Sequence, residues 1–244
     1  MNSLRRHHAT DRPRLRVVCF PHAGGSASFF RAWPDALPAD VDVFAVQYPG
    51  HEDRISEPLA DDLRSLAADQ AESLAPLLDV PVLLFGHSMG ALVAFETARR
   101  IESLVPRARI ALAVSAATAP DVSRDLPDDI DTDDVLADHL SRLGGMAPEV
   151  LADPDMRDIM LPVVRHDYRL VRRYRDVPEP RLRCPILAFC GEDDPAAGYA
   201  DMERWASRTA GRFSSRAFAG GHFYLVPHRS ELLKELGAWP PSGM

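Results

Sequence analysis

A serine, a histidine and a carboxylate spread along this sequence could together catalyse acyl transfer. The serine candidate is Ser88, in the pentapeptide Gly86–Gly90 (Gly-His-Ser-Met-Gly), which directly follows the apolar run Val80–Phe85. A Gly-x-Ser-x-Gly between a buried strand and a helix is the pattern of a nucleophile elbow, a sharp turn that exposes the serine hydroxyl. Residues 91–100 favour the required helix. The alternative is a glycine-rich turn in which the serine has no chemical role.

A serine hydroxyl is a weak nucleophile and needs a base, which in turn needs an acid to orient it. In enzymes with an elbow, the chain order is serine, carboxylate, histidine. Glu192, Asp193 and Asp194 follow directly after a predicted strand; we favour Asp194 over Asp193, with Glu192 third. Another predicted strand leads into a Gly-Gly loop that presents His222, our candidate for the general base.

The reaction also needs two N–H donors aimed at the oxyanion of the tetrahedral intermediate. The backbone amide of Met89, directly after the serine, is the first candidate. The second should come from the loop after the first predicted strand, Pro21–Ser26, where the sequence Pro-His-Ala-Gly-Gly-Ser points to Ala23. An ordinary glycine turn is the alternative for this loop.

Most of the predicted strands are continuous apolar runs, which suits strands covered on both faces of a parallel sheet. Helical patterns separate several of them, for example Leu59–Leu78, where leucine and alanine recur at helical spacing. This alternation predicts an α/β fold with a doubly wound, mostly parallel sheet. The predicted strands are Leu15–Phe20, Val41–Val46, Val80–Phe85, Ile110–Ser115, Pro185–Cys190 and Phe213–Phe218.

One segment interrupts the alternation. Between Pro120 and Pro185 the pattern predicts helices at Thr132–Leu143 and Pro154–Arg175, the second with Asp153 as its N-cap, and no strand. We therefore predict a single domain over residues 1–244 with a helical lid inserted at about 121–182. The apolar side chains of this insertion either pack on the rest of the domain or line an acyl-binding cavity.

Composition indicates a soluble globular protein. The 36 acidic and 28 basic residues give the 244-residue chain a net charge of −8, which argues against a general nucleic-acid binder. No apolar stretch is long enough to span a membrane. The basic N-terminus lacks the apolar segment of a secretory signal, and we interpret this N-terminal segment as a frayed arm. The three cysteines, Cys19, Cys184 and Cys190, are interpreted as buried thiols in a reducing cytoplasm. We expect no metal site and a monomer.

Charge is unevenly distributed along the chain. The segment Asp121–Asp138 is acidic, and the segment Arg165–Arg183 is basic. Such runs are usually solvated faces. The alternative is that the basic segment docks an acidic partner.

Taken together, these motifs resemble those of type II thioesterases, the discrete editing hydrolases of polyketide and nonribosomal peptide assembly lines, which have the α/β-hydrolase fold. The Pro-His-Ala-Gly-Gly and Gln-Tyr-Pro-Gly pair is much more specific than the elbow. One departure is His51, where family members usually carry arginine. The matching stretches are Phe20–Ala27, Val46–Gly50, Gly86–Ala91, Leu143–Gly145, Leu161–Pro162, Gly191–Pro195 and Gly220–Phe223.

The resemblance implies hydrolysis of acyl groups from the phosphopantetheine arm of an acyl or peptidyl carrier protein. It makes Ser88 the nucleophile, Asp194 the acid and His222 the base, with the amides of Ala23 and Met89 as oxyanion donors. It implies no cofactor of the enzyme's own, because the phosphopantetheine belongs to the carrier protein.

Three other functions remain open at this point. A general carboxylesterase or lipase would share the fold but prefer oxygen esters. A chain-releasing thioesterase domain of a synthase would share the chemistry. A non-catalytic α/β-hydrolase that only binds ligands would be expected to have lost the serine or the histidine, and both are present.

Overall fold

The computed structural model describes residues 3–122, 126–127, 129–177 and 180–239. Its centre is a seven-stranded sheet with the strand order β1-β3-β2-β4-β5-β6-β7, parallel except for β1. All six predicted strands are present, four of them with the predicted bounds, and the doubly wound α/β fold is confirmed. The strands are β1 (Leu4–His8), β2 (Leu15–Phe20), β3 (Val41–Val46), β4 (Val82–His87), β5 (Ile110–Ser115), β6 (Ile186–Gly191) and β7 (Phe213–Phe218).

The N-terminal segment is the one strand that the sequence pattern did not indicate. The interpretation of this segment as a frayed arm was wrong, because β1 pairs antiparallel with β3 at the edge of the sheet. Only Leu4 of its side chains is buried. The charged side chains of β1, which obscured the strand pattern in the sequence, form ion pairs. Arg6 lies 2.9 Å from the buried carboxylate of Asp42, and Arg5 lies 2.8 Å from Asp53. Charged side chains on an edge strand also discourage pairing with other chains.

Both faces of the sheet are covered. Consecutive residues of β2 enter two different apolar clusters. Val18 packs with side chains of the helices at 63–74 and 89–104, and Val17 packs with side chains of the helix at 229–237. This explains why the strands read as continuous apolar runs. The helices are α1 (Leu63–Leu74), α2 (Met89–Leu104), α3 (Asp133–Leu143), α4 (Pro148–Ala152), α5 (Pro154–Arg173), α6 (Tyr199–Glu203) and α7 (Arg229–Gly237).

Helix α1 is shorter than the predicted Leu59–Leu78 because local signals stop it at both ends. The carboxylate of Asp62 accepts a hydrogen bond from the backbone N–H of Ser65 at 2.8 Å, which caps the first turn. At the other end the chain tightens into a short 3₁₀ turn at Ala75–Leu77.

The segment between β5 and β6 contains three helices, α3, α4 and α5, which we call the insertion helices. Asp153 caps α5 as predicted, accepting hydrogen bonds from the amides of Asp155 and Met156, and Gly144 ends α3 at a φ of +76°. The insertion helices have an apolar cluster of their own, formed by Ile130, Leu136, Leu140, Leu161, Val164 and Tyr168.

The acidic and basic runs of the sequence pair with each other. Arg169 lies 2.5 Å from Asp131, and Arg165 pairs with Asp133. Arg157, which precedes the basic run on the same helix, lies 2.7 Å from Asp134. Two aspartates of the acidic run, at 125 and 128, fall outside the described residues. The pairs attach helix α5 to the first turn of α3 and to the residues just before it, so much of the local charge is neutralised within the molecule.

All three cysteines are free and buried, as expected. Among the helices of the described residues, none combines the length and the apolar character needed to cross a bilayer.

Candidate active site

Ser88 lies in the tight turn between β4 and α2. Its backbone has φ +55° and ψ −121°, a conformation that residues other than glycine rarely adopt. The surrounding structure holds this strained turn, because the N–H of Ser88 donates to the carbonyl of Ser115 at 2.8 Å. The flanking glycines are needed for close approach: a Cβ on Gly86 would lie 2.2 Å from the carbonyl oxygen of Gly90, and one on Gly90 would lie 2.1 Å from that of Phe20. This is the geometry predicted for a nucleophile elbow.

His222 and Asp194 are in direct contact. The Nδ1 atom of His222 lies 2.9 Å from Oδ2 and 3.0 Å from Oδ1 of Asp194, and both side chains are buried. Two loops bring them together, and their approach requires Gly191, where a Cβ would lie 2.2 Å from the carbonyl oxygen of Gly221. Asp193, the second candidate for the acid, is exposed.

The contact with Asp194 fixes the tautomer of His222. A carboxylate only accepts hydrogen bonds, so Nδ1 carries the hydrogen and Nε2 of the neutral ring keeps its lone pair. An imidazole in this state can take a proton from a nearby hydroxyl.

Ser88 and His222 line the same cavity, which has a volume of about 210 Å³. Most of its other walls are apolar, and many come from the insertion helices and the loops between them. The remaining lining residues are His22, Ala23, Gly24, Leu140, Leu143, Gly145, Met146, Ala147, Val150, Met160, Val164, Tyr168 and Phe223. A cavity of this kind suits an apolar group attached to the atom that Ser88 attacks.

Two further histidines surround His222 and are held neutral. Burial, followed by electrostatic interaction with His222 and His51, lowers the pKa of His22 to about 3. Burial also lowers the pKa of His87 well below its usual value. The side chain of His87 contacts a different serine, with Nδ1 lying 3.0 Å from the hydroxyl oxygen of Ser115.

The loop after β2, Pro21–Ser26, borders the cavity through His22, Ala23 and Gly24. Two of its amides are already used: Gly25 donates to the carbonyl of His22 at 2.9 Å, and Gly24 donates to the carboxylate of Asp167 at 2.8 Å. Neither is free to bind an oxyanion, which favours Ala23 as the donor from this loop. Met89 directly follows Ser88 and is the first residue of α2, where the amides of a helix have no partner within the helix.

Sequence reasoning missed Asp167. This aspartate lies on the buried side of helix α5, and its Oδ2 atom also contacts Nε2 of His51 at 2.9 Å. The signal was a carboxylate next to Tyr168 and three residues after Val164, within the apolar stripe of an amphipathic helix. Without coordinates, that position does not reveal its partners in the loops after β2 and β3.

The described part of the chain contains no group of three or more histidine, cysteine, aspartate or glutamate side chains placed to hold a metal ion. The chemistry described above requires only side chains and backbone amides.

Comparisons with known proteins agree with this geometry. The family profile for the thioesterase domain matches residues 15–239. The chain is 40% identical over 96% of its length to a probable cadicidin biosynthesis thioesterase of Streptomyces griseus, and it spans 64% of that protein. It is 37% identical over 96% of its length to thioesterase PikA5 of Streptomyces venezuelae, and it spans 83% of that protein. Among solved structures, the type II thioesterase BorB from the borrelidin biosynthetic cluster superposes with a TM-score of 0.87 at 40% identity, covering 97% of this chain and 96% of BorB.

The elbow, the His222–Asp194 contact, the sheet and these similarities lead to one conclusion. The chain belongs to the thioesterase family, with the α/β-hydrolase fold, and is a thioesterase of the type II class found in polyketide and nonribosomal peptide pathways.

Proposed function

We propose that this thioesterase releases acyl groups from the phosphopantetheine arm of acyl or peptidyl carrier proteins, and so edits stalled or wrongly primed chains. The observation that carries the proposal is the shared cavity: Ser88 and His222 line one apolar space, and Asp194 orients the imidazole. The names of the related proteins support the polyketide or nonribosomal peptide setting.

In the proposed reaction, the hydroxyl oxygen of Ser88 attacks the thioester carbonyl while Nε2 of His222 takes the hydroxyl proton. The amides of Ala23 and Met89 stabilise the resulting oxyanion, a contribution worth about 10²–10³ in rate for each donor in comparable enzymes. The tetrahedral intermediate collapses, the carbon–sulfur bond breaks, and the thiol leaves with the proton held by His222.

The second half of the proposed reaction repeats the same roles with water. His222 takes a proton from a water molecule, which attacks the acyl-serine carbonyl and forms a second oxyanion in the same place. The carboxylic acid then leaves, and the proton returns to the oxygen of Ser88. Asp194 stays ionised throughout and stabilises the imidazolium that forms in each half.

The insertion helices serve as a lid in this proposal. The side chains of Leu140, Val150 and Met160, from α3, α4 and α5 respectively, contribute apolar walls to the cavity. An acyl chain attached to Ser88 would lie against them. We propose that residues 1–244 form a single domain with the lid at about 121–182, and that the enzyme works in the cytoplasm, where its three free thiols would stay reduced. The expectation of a monomer stays a prediction.

Carrier proteins loaded with a series of acyl groups provide the test. Intact-mass analysis should show the wild-type enzyme unloading them, and the variant Ser88→Ala should show only the uncatalysed rate. Ser207→Ala is the matched control, because Ser207 is exposed and donates only a local hydrogen bond to the carbonyl of Arg204. Hydrolysis of p-nitrophenyl esters but not of acyl-pantetheine thioesters would instead indicate a general carboxylesterase.

A further inference from the structure

We propose that Asp167, paired with a doubly protonated His51, is a positioning residue that holds the loop Pro21–Ser26 in the geometry needed to stabilise the oxyanion. The inference rests on the proposed function, because the Ala23 amide that Asp167 would position is an oxyanion donor only in that reaction. Three short contacts carry it. Oδ2 of Asp167 accepts the Gly24 amide at 2.8 Å and lies 2.9 Å from Nε2 of His51, and Nδ1 of His51 lies 2.9 Å from the carbonyl oxygen of Pro49.

These contacts determine the number of protons on His51. The carbonyl oxygen of Pro49 can only accept a hydrogen bond, so Nδ1 carries a hydrogen. Nε2 faces a carboxylate oxygen at hydrogen-bond distance, so a second proton lies between His51 and Asp167. Imidazole is a much stronger base than a carboxylate, so that proton belongs to the ring. His51 is therefore a buried imidazolium paired with a buried carboxylate.

The charges around His51 favour this state. Burial alone would lower the pKa of His51, but the hydrogen bond and negative charge of Asp167, the Pro49 carbonyl and the charge of Glu52 together raise it above its usual value. The other titratable rings nearby bring no charge at neutral pH: Tyr48 keeps its proton because burial raises its pKa, and His22 stays neutral.

Asp167 connects the lid to the loop at the point where the donor lies. Its carboxylate binds the amide of Gly24, which belongs to the peptide unit directly after Ala23. A backbone displacement at Gly24 would therefore change the direction of the Ala23 amide. Gly24 also has φ +72°, and a Cβ there would lie 2.4 Å from the side chain of Val164 on α5, so helix and loop meet without spare room.

Asp167 acts through the loop and not on the acyl group. Its neighbours Val164 and Tyr168 line the cavity, whereas Asp167 does not, and its side chain is only 2% exposed. Loss of the pair should thus lower kcat and leave KM nearly unchanged. A merely structural loosening of the lid would change the cavity walls and raise KM as well.

The test compares a neutral and a permanently cationic side chain at position 51. His51→Gln and Asp167→Ala should each lower kcat for an acyl-carrier substrate by about tenfold or more, since a misplaced oxyanion donor loses part of a 10²–10³ effect. His51→Arg keeps a charge at all accessible pH values and should recover most of the kcat that His51→Gln loses. Arg157→Ala, which removes an ion pair between α5 and Asp134 of α3, is the control for helix α5.

A spectroscopic measurement on the wild-type enzyme keeps the proposal testable if a variant fails to fold. Nitrogen-15 NMR of the histidine rings should show both nitrogens of His51 protonated at neutral pH. The kcat of the wild type should fall with rising pH only over the range in which His51 loses its second proton, and His51→Arg should not show that fall. A neutral His51 ring at neutral pH, or a kcat that is independent of its protonation, would overturn the proposal.

The outcomes distinguish a failure of the positioning role of Asp167 from a failure of the proposed function. If Ser88→Ala abolishes turnover while His51→Gln and Asp167→Ala keep the wild-type kcat, or alter KM alone, only the positioning role is wrong. If Ser88→Ala keeps turnover, the proposed function itself fails.

Discussion

At the scale of single residues, the proposed role of Asp194 as the acid can be tested by comparing it with the adjacent Asp193. Asp194→Asn keeps the size of the side chain but allows His222 to adopt the wrong tautomer, and a change of this kind costs about 10⁴ in kcat in a comparable triad. Asp193→Asn is the matched control, because Asp193 is adjacent in sequence but exposed. We expect kcat for acyl-pantetheine to collapse in the first variant only, and equal effects in both would exclude the assigned role of Asp194.

The sequence predicted these residues to different degrees, for physical reasons. Ser88 and His222 lie in glycine-containing turns whose steric demands leave a pattern in the chain. Asp194 had to be chosen from three adjacent carboxylates, and only the contact with His222 distinguishes it. Asp167 left no such pattern, because its partners come from loops more than a hundred residues away in the chain.

At the scale of elements, the cavity walls contributed by the insertion helices should determine which acyl chains fit. Val150→Trp adds bulk from α4 inside a cavity of about 210 Å³. Because the difference between long and short chains is a difference in apolar contact, kcat/KM for an octanoyl substrate should fall at least tenfold relative to acetyl. Glu149→Gln changes the exposed neighbour on the same helix and should leave the ratio unchanged. An unaltered ratio in Val150→Trp would mean that the acyl chain does not lie against α4.

Element boundaries followed local signals where these were strong. The Asp153 cap and the Gly144 stop were evident in the sequence, since each acts within one helical turn. Strand β1 was missed because it lies at the sheet edge, where charged side chains are tolerated and no apolar run is required. The ion pairs between the acidic and basic runs were also missed, since they depend on how α5 packs against a segment more than thirty residues earlier in the chain.

At the scale of the whole molecule, the neutral histidines His22 and His87 predict a loss of stability in acid. The folded state keeps the pKa of His22 at about 3, whereas the unfolded chain protonates this residue near its ordinary value. The unfolded state thus binds more protons between these two values, so the stabilising contribution is present at neutral pH and is lost as pH falls below about 6.5. His87 acts in the same direction.

Urea unfolding measures this effect. The free energy of unfolding should fall on acidification from about pH 7 to about pH 5, and the variant His22→Asn should lose less, by on the order of 1 kcal/mol. Leu112→Val, which is flanked by alanines and fully buried in an apolar cluster, is a control for loss of stability that does not depend on pH. The same pH slope in His22→Asn and in the wild type would show that His22 does not remain neutral in the folded state.

The central claim is that Ser88 carries the acyl group during turnover. The most direct measurement is rapid mixing of the enzyme with an acyl-pantetheine thioester, followed by acid quenching and mass spectrometry of the peptides. The account predicts a transient acyl mass on the peptide that contains Ser88, absent from Ser88→Ala and longer-lived when His222 is replaced by alanine. An acyl group on a different residue, or full turnover by Ser88→Ala, would contradict it.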